Sequence, residues 1–459
     1  MLHIYNSLSK QIELFKPIHN HKVSIYSCGP TVYNLPHIGN YRAFLFNDIL
    51  KRTLVFLGYD VTHIMNITDV DDKTIRASKI AEKTLKEFTE FYTKEFNIEL
   101  DHLNIIPADK QVLATDHIKE MIQMIETLKE KGFAYTSSNG SIYFDISKYE
   151  NYGALSGIDM QKHSQTLSRM TQDEYEKDNP QDFALWKIWT EEDGDNFWDP
   201  STIFGSNTEI GKGRPGWHIE CSAMATKYLG NHFDIHTGGI DLTFPHHENE
   251  IAQSVCATGE NFVNYWLHNE HILVDGAKMS KSLGNQFTLR DIIDKGYSPI
   301  DYRYFVLSSS YRTKTNLTWE SLNASRNARQ KLVRFIRDIE SEGEISDSYV
   351  KEFTNDIEDD LNTPKALATI WELTKDSKIS NPDKKSTILF FDGVLGLDLE
   401  NIGETDEIPQ EIFDLMKARD DARKSKDYTI SDTIRAELEG LGYEVSDTPE
   451  GTKVTKQVK

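Results

Sequence analysis

The chain has 459 residues, 38% of them hydrophobic, and a formal net charge of −22. A single hydrophobic core stops growing at about 250–300 residues, so this length predicts two or more domains. The acidic balance argues against a protein that coats nucleic acid without specificity, and the lack of any run of about 18 apolar residues excludes a membrane-spanning helix.

The three cysteines, Cys28, Cys221 and Cys256, are too few and too scattered for a disulfide framework. The first residues, MLHIYNSLSK, also lack the charged start and the apolar stretch of a secretory signal peptide. We therefore expect a cytoplasmic protein.

The N-terminal part of the chain alternates between strand-like and helical patterns. The β-branched run KVSIYS meets a Gly-Pro break, and residues 39–60 follow with apolar positions at helical spacing. Residues 61–70 are strand-like again, and residues 71–103 are helical. This order predicts an α/β fold in which helices cover a parallel sheet.

Later segments divide the chain further. A helix over residues 113–132 and a hairpin around residues 137–140 precede a polar, acidic stretch, after which the strand pattern resumes at FDIHTGGIDLTF. From residue 301 the pattern is mostly helical. We therefore predict two halves of one sheet domain (1–112 and 211–300), an insertion between them (113–210), a helical region (301–400) and a small terminal unit (401–459).

One helix of the C-terminal part is amphipathic. Over residues 323–340, Leu332 and Ile336 mark an apolar face, and four arginines surround the other face: Arg326, Arg329, Arg334 and Arg337. These arginines form either an ordinary solvated face or a strip that meets a negatively charged partner, and the sequence leaves both open.

A metal-binding pattern involves two of the cysteines. The stretch FPHHENE can begin a helix at its proline, which would put His246 and Glu250 one above the other on one face. Cys28 and Cys221 could complete a mixed sulfur, nitrogen and oxygen shell of the kind that suits zinc. The alternatives are a buried cysteine without a metal and a surface His–Glu pair. HHENEI does not form the metalloprotease pattern His-Glu-x-x-His, and Cys256 has no ligand-type neighbour at useful spacing.

Two short segments favour phosphate binding. In NLPHIGN a strand gives way to a turn and a helix start, where backbone N–H groups attract anions, Gly39 lets a ligand come close and His37 can donate a hydrogen bond. In VDGAKMSKSLGN, Lys278 and Lys281 lie on either side of Ser280 and can follow developing negative charge. Either segment alone is compatible with an ordinary loop.

The two segments occur in this order at the two ends of an α/β region, and the combination resembles class I aminoacyl-tRNA synthetases. Further stretches narrow the resemblance to the cysteinyl-tRNA synthetase family: SCGPTVYNLPHIGNYR, NITDVDDK, DFALWK, GRPGWHIECSAM and FPHHENEIAQS. The resemblance implies a Rossmann-like catalytic domain, a helical tRNA-binding region and a small anticodon-binding unit, in the ranges given above.

The resemblance also implies the reaction and its participants. Cysteine and ATP, accompanied by Mg²⁺, would form cysteinyl-adenylate, and the tRNA for cysteine would then take the acyl group from a monomeric enzyme. One zinc ion would be held by Cys28, Cys221, His246 and Glu250 and would accept the thiolate of the substrate but not the hydroxyl of serine. The other implied residues are His37, Gly39, Asn40, Lys278, Ser280 and Lys281 for ATP, with His37, Asn40, Lys278 and Lys281 as the catalytic ones, and Cys28, Thr31, Thr68, Trp217 and Asp241 for the amino acid.

Two positions depart from the family pattern. Asn40 stands where many class I enzymes carry a second histidine, so more of the charge stabilisation would fall on the lysines. Val454 stands where the family resemblance implies an aromatic platform for an anticodon base, so Tyr443 or Tyr428 would have to substitute.

Two other functions stay open. One is a cysteine-activating ligase with a small amine as acceptor, and the other is a non-catalytic RNA-binding protein that contains zinc. The long helical part after VDGAKMSKSLGN favours tRNA as the acceptor, and intact His37 and Lys278 favour an enzyme.

Overall fold

The structure is a computed structural model, and it describes residues 1–158, 181–205, 208–280, 284–400, 410–425, 427–448 and 451–456. The strands of these residues are, in chain order, β1 (His3–Asn6), β2 (Gln11–Leu14), β3 (Lys22–Ser27), β4 (Asp60–Ile67), β5 (Lys110–Leu113), β6 (Ala134–Thr136), β7 (Ile142–Phe144), β8 (Phe183–Ile188), β9 (Gly213–Pro215), β10 (Phe233–Gly239), β11 (Val263–Asn269), β12 (Ile272–Val274), β13 (Ala277–Lys278), β14 (Thr315–Leu317), β15 (Tyr443–Thr448) and β16 (Gly451–Lys456).

The α-helices of the same residues are α1 (Ile38–Phe56), α2 (Asp72–Ile80), α3 (Leu85–His102), α4 (Ile118–Glu130), α5 (Pro200–Phe204), α6 (Trp217–Leu229), α7 (Glu248–Thr258), α8 (Leu289–Asp294), α9 (Pro299–Leu307), α10 (Trp319–Arg337), α11 (Asp347–Glu358), α12 (Thr363–Lys375), α13 (Asn381–Leu395), α14 (Gln410–Lys424) and α15 (Tyr428–Gly440). None of the described helices is long and apolar enough to span a membrane.

A five-stranded sheet in the order β11-β10-β3-β4-β5 confirms the predicted parallel α/β fold. In the central strand, Ser27 faces Met65 of β4 and Thr237 of β10. The chain leaves β3 through α1 towards β4, and it only later adds β10 on the opposite side of β3. Open α/β sheets bind ligands at such a switch point, in the crevice at the carboxyl ends of the strands.

Side chains alternate between the two faces of this sheet, as the pleat of a strand requires. Ile64 of β4 lies in a hydrophobic cluster with residues of α4, α6 and α7, whereas the next residue, Met65, lies in a cluster with residues of α1, α3 and α9. Both faces are therefore covered by helices, which explains why the last five residues of this strand, 63–67, are all buried.

The segment between β5 and β10 forms an antiparallel sheet in the order β6-β7-β8-β9. The expected hairpin around residues 137–140 joins β6 to β7. The helix expected over 113–132 begins only at Ile118, because Leu113 ends the edge strand β5 and residues 114–117 form a tighter 3₁₀ turn. The polar stretch also contains the buried strand β8, in which Trp186 is fully buried and donates to the carbonyl oxygen of Gly211.

The arginines of α10 do not form the four-residue strip that the spacing predicts. Arg326 is 8% exposed, and Arg329 forms an ion pair with Asp301 and donates to the carbonyl oxygen of Leu397. Of the four arginines, only Arg334 and Arg337 are exposed. The expectation of a continuous solvated or anion-facing strip is therefore wrong, because its first half fixes the helix against its neighbours.

The terminal unit comprises α14, α15 and the hairpin β15–β16, which pack around a small apolar cluster. Val454 and Tyr443 both belong to that cluster and are 8% exposed, whereas Tyr428 is 63% exposed. Of the two tyrosines considered as substitutes for an aromatic at position 454, Tyr443 is thus part of the core and Tyr428 is accessible.

Candidate metal and nucleotide site

The four predicted metal ligands meet at the switch point of the parallel sheet. Cys28 directly follows β3, Cys221 lies on α6, His246 lies in the turn before α7, and Glu250 lies on α7. One ligand atom from each of the four lies within 4.8 Å of the others. The helix α7 begins only at Glu248, since residues 243–247 form a wider turn, but the four-residue spacing still brings His246 Nε2 to 3.1 Å from Glu250 Oε1.

The cluster combines burial with ionised ligand groups. Cys221, His246 and Glu250 are at most 1% exposed, whereas Cys28 is half-buried and reaches the crevice. Burial opposes ionisation of Glu250, but His236 and His246 outweigh it and lower the pKa of Glu250 to about 2. Burial likewise opposes ionisation of Cys221, but the Cys28 thiol and His246 lower its pKa to about 6. The cluster therefore holds a buried carboxylate and a readily formed thiolate, which is the donor chemistry of a zinc site.

The structure adds two histidines that the sequence analysis missed. His236, on β10, has Nε2 2.9 Å from Glu250 Oε2, and His247 has Nε2 3.4 Å from Cys28 Sγ. These two residues, with Cys28 and Glu250, form a second set of donor atoms that also lie within 4.8 Å of one another. The pair of adjacent histidines in HHENE was the available signal for His247. His236 had no local signal, because a single histidine on a buried strand gives no spacing pattern.

Further histidines extend from this cluster. His247 Nδ1 lies 2.8 Å from His268 Nε2, and His268 Nδ1 lies 2.8 Å from the hydroxyl of Ser7. On the other side, His218 Nδ1 lies 2.8 Å from His246 Nδ1. Burial and the neighbouring histidines lower the pKa of His247, and burial with His236 lowers the pKa of His268 to about 3, so both rings are neutral near pH 7.

The residues predicted to bind the amino acid surround the same crevice. Thr31, after β3, and Thr68, after β4, form a parallel bridge, and Thr68 donates to Glu220 Oε2 at 2.8 Å. The ring of Trp217 lies 4.2 Å from that of His246 between centroids and is partly exposed. Asp241 is exposed in the turn after β10.

The predicted phosphate-binding segment is the beginning of α1. His37 is the residue before the helix, and its Nδ1 is buried without a hydrogen-bond partner among the described residues. Burial lowers the pKa of His37 against the opposing effect of Asp241, so the ring offers a hydrogen bond rather than a charge near neutral pH. Asn40 Oδ1 accepts from the backbone N–H of His37 at 3.0 Å. Asn40 therefore orders the beginning of α1.

The segment that contains Lys278 and Met279 contacts the beginning of α1. A side-chain carbon on Gly39 would lie 2.3 Å from the methyl carbon of Met279, so a larger residue at this position would displace the end of the methionine side chain. Lys278 ends β13 with an exposed side chain, and the backbone N–H of Ser280 donates to Asn285 Oδ1 at 2.9 Å. The two segments that the sequence analysis singled out thus lie side by side. Lys281 lies outside the described residues.

Comparison with known proteins gives two family matches. The model of the tRNA synthetases class I (C) catalytic domain matches residues 14–327, and that of the Cysteinyl-tRNA ligase anticodon binding domain matches residues 405–454. A Cysteine--tRNA ligase of Brachyspira hyodysenteriae is 46% identical, over 98% of this chain and 98% of its own length. This chain belongs to the cysteine--tRNA ligase family. Another family member, from Chlamydia felis, is 43% identical over 99% of this chain and 98% of its own length.

Solved structures show the same fold at low sequence identity. A methionyl-tRNA synthetase of Mycobacterium tuberculosis bound by methionyl-adenylate has a TM-score of 0.54 and 12% identity, and the match covers 82% of this chain and 90% of that one. The agnB2 LeuRS of Agrobacterium radiobacter K84, in a ternary complex, has a TM-score of 0.57 and 12% identity, covering 84% of this chain and 85% of that one. This chain thus shares its fold with these synthetases.

Proposed function

We propose that this chain activates cysteine with ATP and transfers it to tRNA, and that one zinc ion held by Cys28, Cys221, His246 and Glu250 selects the amino acid. The observation that carries the proposal is the approach of these four ligand atoms to within 4.8 Å of one another. Two sulfurs, an imidazole and a carboxylate suit zinc better than they suit Mg²⁺ or Ca²⁺. When bound, zinc would accept the thiolate of cysteine as a further ligand and would discriminate against the hydroxyl of serine.

We assign supporting positions to His236 and His247. Their donor set shares Cys28 and Glu250 with the first set but contains only one sulfur. His236 instead hydrogen-bonds the Glu250 oxygen that points away from His246, and partners of this kind fix the orientation of a ligating carboxylate.

The amino acid is assigned to Thr31, Thr68, Trp217 and Asp241, which lie around the cluster. Trp217 packs its ring against His246 and is partly exposed, so it can form a wall of the pocket. The hydrogen bond from Thr68 to the buried Glu220 fixes the threonine side chain. We assign the carboxylate of a bound cysteine to the side of the crevice that faces the beginning of α1.

ATP is assigned to the two segments that meet beside Gly39, with Mg²⁺ accompanying the nucleotide. A carboxylate oxygen of cysteine would form a bond to the α-phosphorus, the bond from that phosphorus to the bridging oxygen would break, and pyrophosphate would leave. The carboxylate is already a nucleophile, so catalysis consists of positioning and charge stabilisation. We assign those tasks to His37, Asn40, Lys278 and Lys281, with Gly39 and Ser280 shaping the site.

The tRNA is assigned to the C-terminal part of the chain. The match of residues 405–454 to an anticodon-binding domain and the coverage of nearly the whole length of the relatives support tRNA, rather than a small amine, as the acceptor. The ranges predicted from the sequence for the domains, a monomeric state and a cytoplasmic location complete the proposal. Three free cysteines are consistent with a reducing compartment.

A pair of assays tests the proposal. We expect the purified protein to exchange pyrophosphate into ATP only when cysteine is present, and to attach cysteine to its tRNA. Exchange without charging would favour a ligase with a small acceptor. Binding of RNA without exchange would favour a non-catalytic protein. Sedimentation in the presence and absence of tRNA would test the monomer.

A further inference from the structure

Arg42 is a buried cation whose described hydrogen-bond partners are all backbone carbonyl groups. It lies in α1, two residues beyond Asn40, and is 1% exposed. Its Nη1 donates to the carbonyl oxygen of His271 at 2.7 Å, and its Nη2 donates to those of Thr313 at 2.6 Å and Ser310 at 3.0 Å. Burying a charge is costly unless hydrogen bonds compensate it. These carbonyl groups therefore fix the position of the guanidinium.

The carbonyl groups belong to the two segments that lead into the small sheet β13-β12-β14. His271 directly precedes β12, which pairs with β13 so that Leu273 faces Lys278. Residues 310–313 lead into β14, which pairs with the other edge of β12. One side chain of α1 thus holds both of the segments that precede the sheet on which Lys278 stands.

From this arrangement we infer that Arg42 is a positioning residue. It fixes the β12–β13 hairpin, which carries Lys278, relative to the beginning of α1, where His37 and Asn40 lie. The planar guanidinium can donate to two segments at once because its donors form a rigid fork, and a lysine ammonium cannot reproduce that fork. The inference rests on the proposed function, because it acts through the role assigned to Lys278. It concerns a residue that does not itself contact the reacting atoms.

Arg303 offers a matched control. It is also fully buried, and it joins α9 to α1 by bonding to Asp48 and to the carbonyl oxygens of Leu395 and Leu103. Its contacts lie further along α1, and none of its described hydrogen bonds reaches β12, β13 or the segments before them. If Arg42 served only to stabilise the fold, substitution of either arginine would affect the stability and kcat in the same way.

The experiment is a double-mutant cycle on cysteine-dependent pyrophosphate exchange. We expect Arg42→Lys to lower kcat about 10²-fold, the scale of a misplacement of about 1 Å, with the KM for cysteine unchanged. In a Lys278→Ala background the same substitution should lower kcat by less than about twofold, because its effect passes through the missing lysine. Arg303→Lys should lower the midpoint of thermal unfolding and leave kcat within about twofold of wild type.

Two results would overturn the inference: losses of kcat that multiply in the double variant, or equal losses of kcat for Arg42→Lys and Arg303→Lys. Should the lysine variant not fold, Arg42→Gln takes its place in the cycle, because it keeps one donor group and buries no charge. Wild-type protein without cysteine-dependent exchange would instead refute the proposed function. The two failures are therefore distinguishable.

Discussion

Nε2 of His246 lies 3.1 Å from Oε1 of Glu250, and both side chains are almost completely buried. Burial opposes a charge on the ring, but the carboxylate and Cys221 raise the pKa of His246 to about 10. His246 and Glu250 are thus the pair of candidate metal ligands that the four-residue spacing predicts. His247, the next residue, instead points its Nε2 towards Cys28 Sγ, at 3.4 Å. The two adjacent histidines therefore allow the two donor sets to be distinguished.

We expect His246→Ala to weaken zinc binding more than His247→Ala does. Loss of a supporting residue typically lowers metal affinity about 10–100-fold, and loss of a ligand should exceed that range. Competition with a chelator, at a pH where both variants are folded, measures the two affinities. A larger effect for His247→Ala would assign the ion to the second donor set.

Cys28→Ser should lower both the zinc content and the discrimination against serine. A neutral hydroxyl is a poor substitute for a thiolate at zinc, so cysteine activation should fall in proportion to the bound metal. Cys256→Ser is the matched control, because Cys256 is 7% exposed, belongs to neither donor set, and has a pKa that burial raises to about 12. Full zinc content with undiminished cysteine activation in Cys28→Ser would refute the site.

The sequence predicts the parts of this site that have local patterns. The spacing of His246 and Glu250 and the segment around His37 rest on helix geometry, which a few neighbouring residues determine. The position of Cys221 beside Cys28 depends on the order of strands in the sheet, which spacing along the chain does not encode. The residues alone offered Cys28 and Cys221 only as possible ligands, and the family resemblance implied that both bind the same ion.

One expectation was wrong and one site residue was missed, for a similar physical reason. The arginines of α10 fall on the polar side of an amphipathic pattern, but Arg329 turns to the carbonyl group of Leu397, sixty-eight positions away. His236 reaches Glu250 from a different element. Contacts between distant segments decide both cases, and a periodic pattern reports only which face of an element is apolar.

Lys278→Ala should slow adenylate formation far more than it weakens cysteine binding. The lysine is exposed beside the helix end and would meet charge that develops in the transition state, so its loss should cost about 10²–10³ in kcat for exchange. Steady-state exchange kinetics separate kcat from KM. An unchanged kcat with a raised KM for cysteine would contradict the assigned role.

Asp72→Asn should destabilise the catalytic part in a pH-dependent way. Asp72 Oδ2 lies 2.7 Å from Lys187 Nζ of β8, and its other oxygen pairs with Arg214 of β9. Burial opposes ionisation, but both cations outweigh it and lower the pKa of Asp72. A lowered pKa stabilises the fold above the unfolded value of about 3.9, and this contribution is lost as the pH falls through the folded value.

At pH 7 we therefore expect Asp72→Asn to unfold about 2–4 °C below wild type, a modest shift because the carboxylate is partly exposed and screened by solvent. The difference should shrink as the pH falls below about 4. Thermal unfolding followed by circular dichroism at several pH values measures it. A difference that stays constant down to acidic pH would mean that the ion pairs are not its source.

Removal of residues 401–459 should separate activation from charging. The terminal unit packs around a cluster of its own, which includes Ile412, Leu438 and Val454, so its removal leaves the other clusters intact. All residues assigned to ATP and cysteine precede residue 286. We expect exchange within about twofold of the full chain. Charging efficiency should fall at least about 10-fold, since even one lost base contact costs about 1–3 kcal/mol. Lys278→Ala in the full chain is the opposite control, because it should impair both reactions. Equal charging by the shortened and full chains would show that tRNA is recognised without the terminal unit.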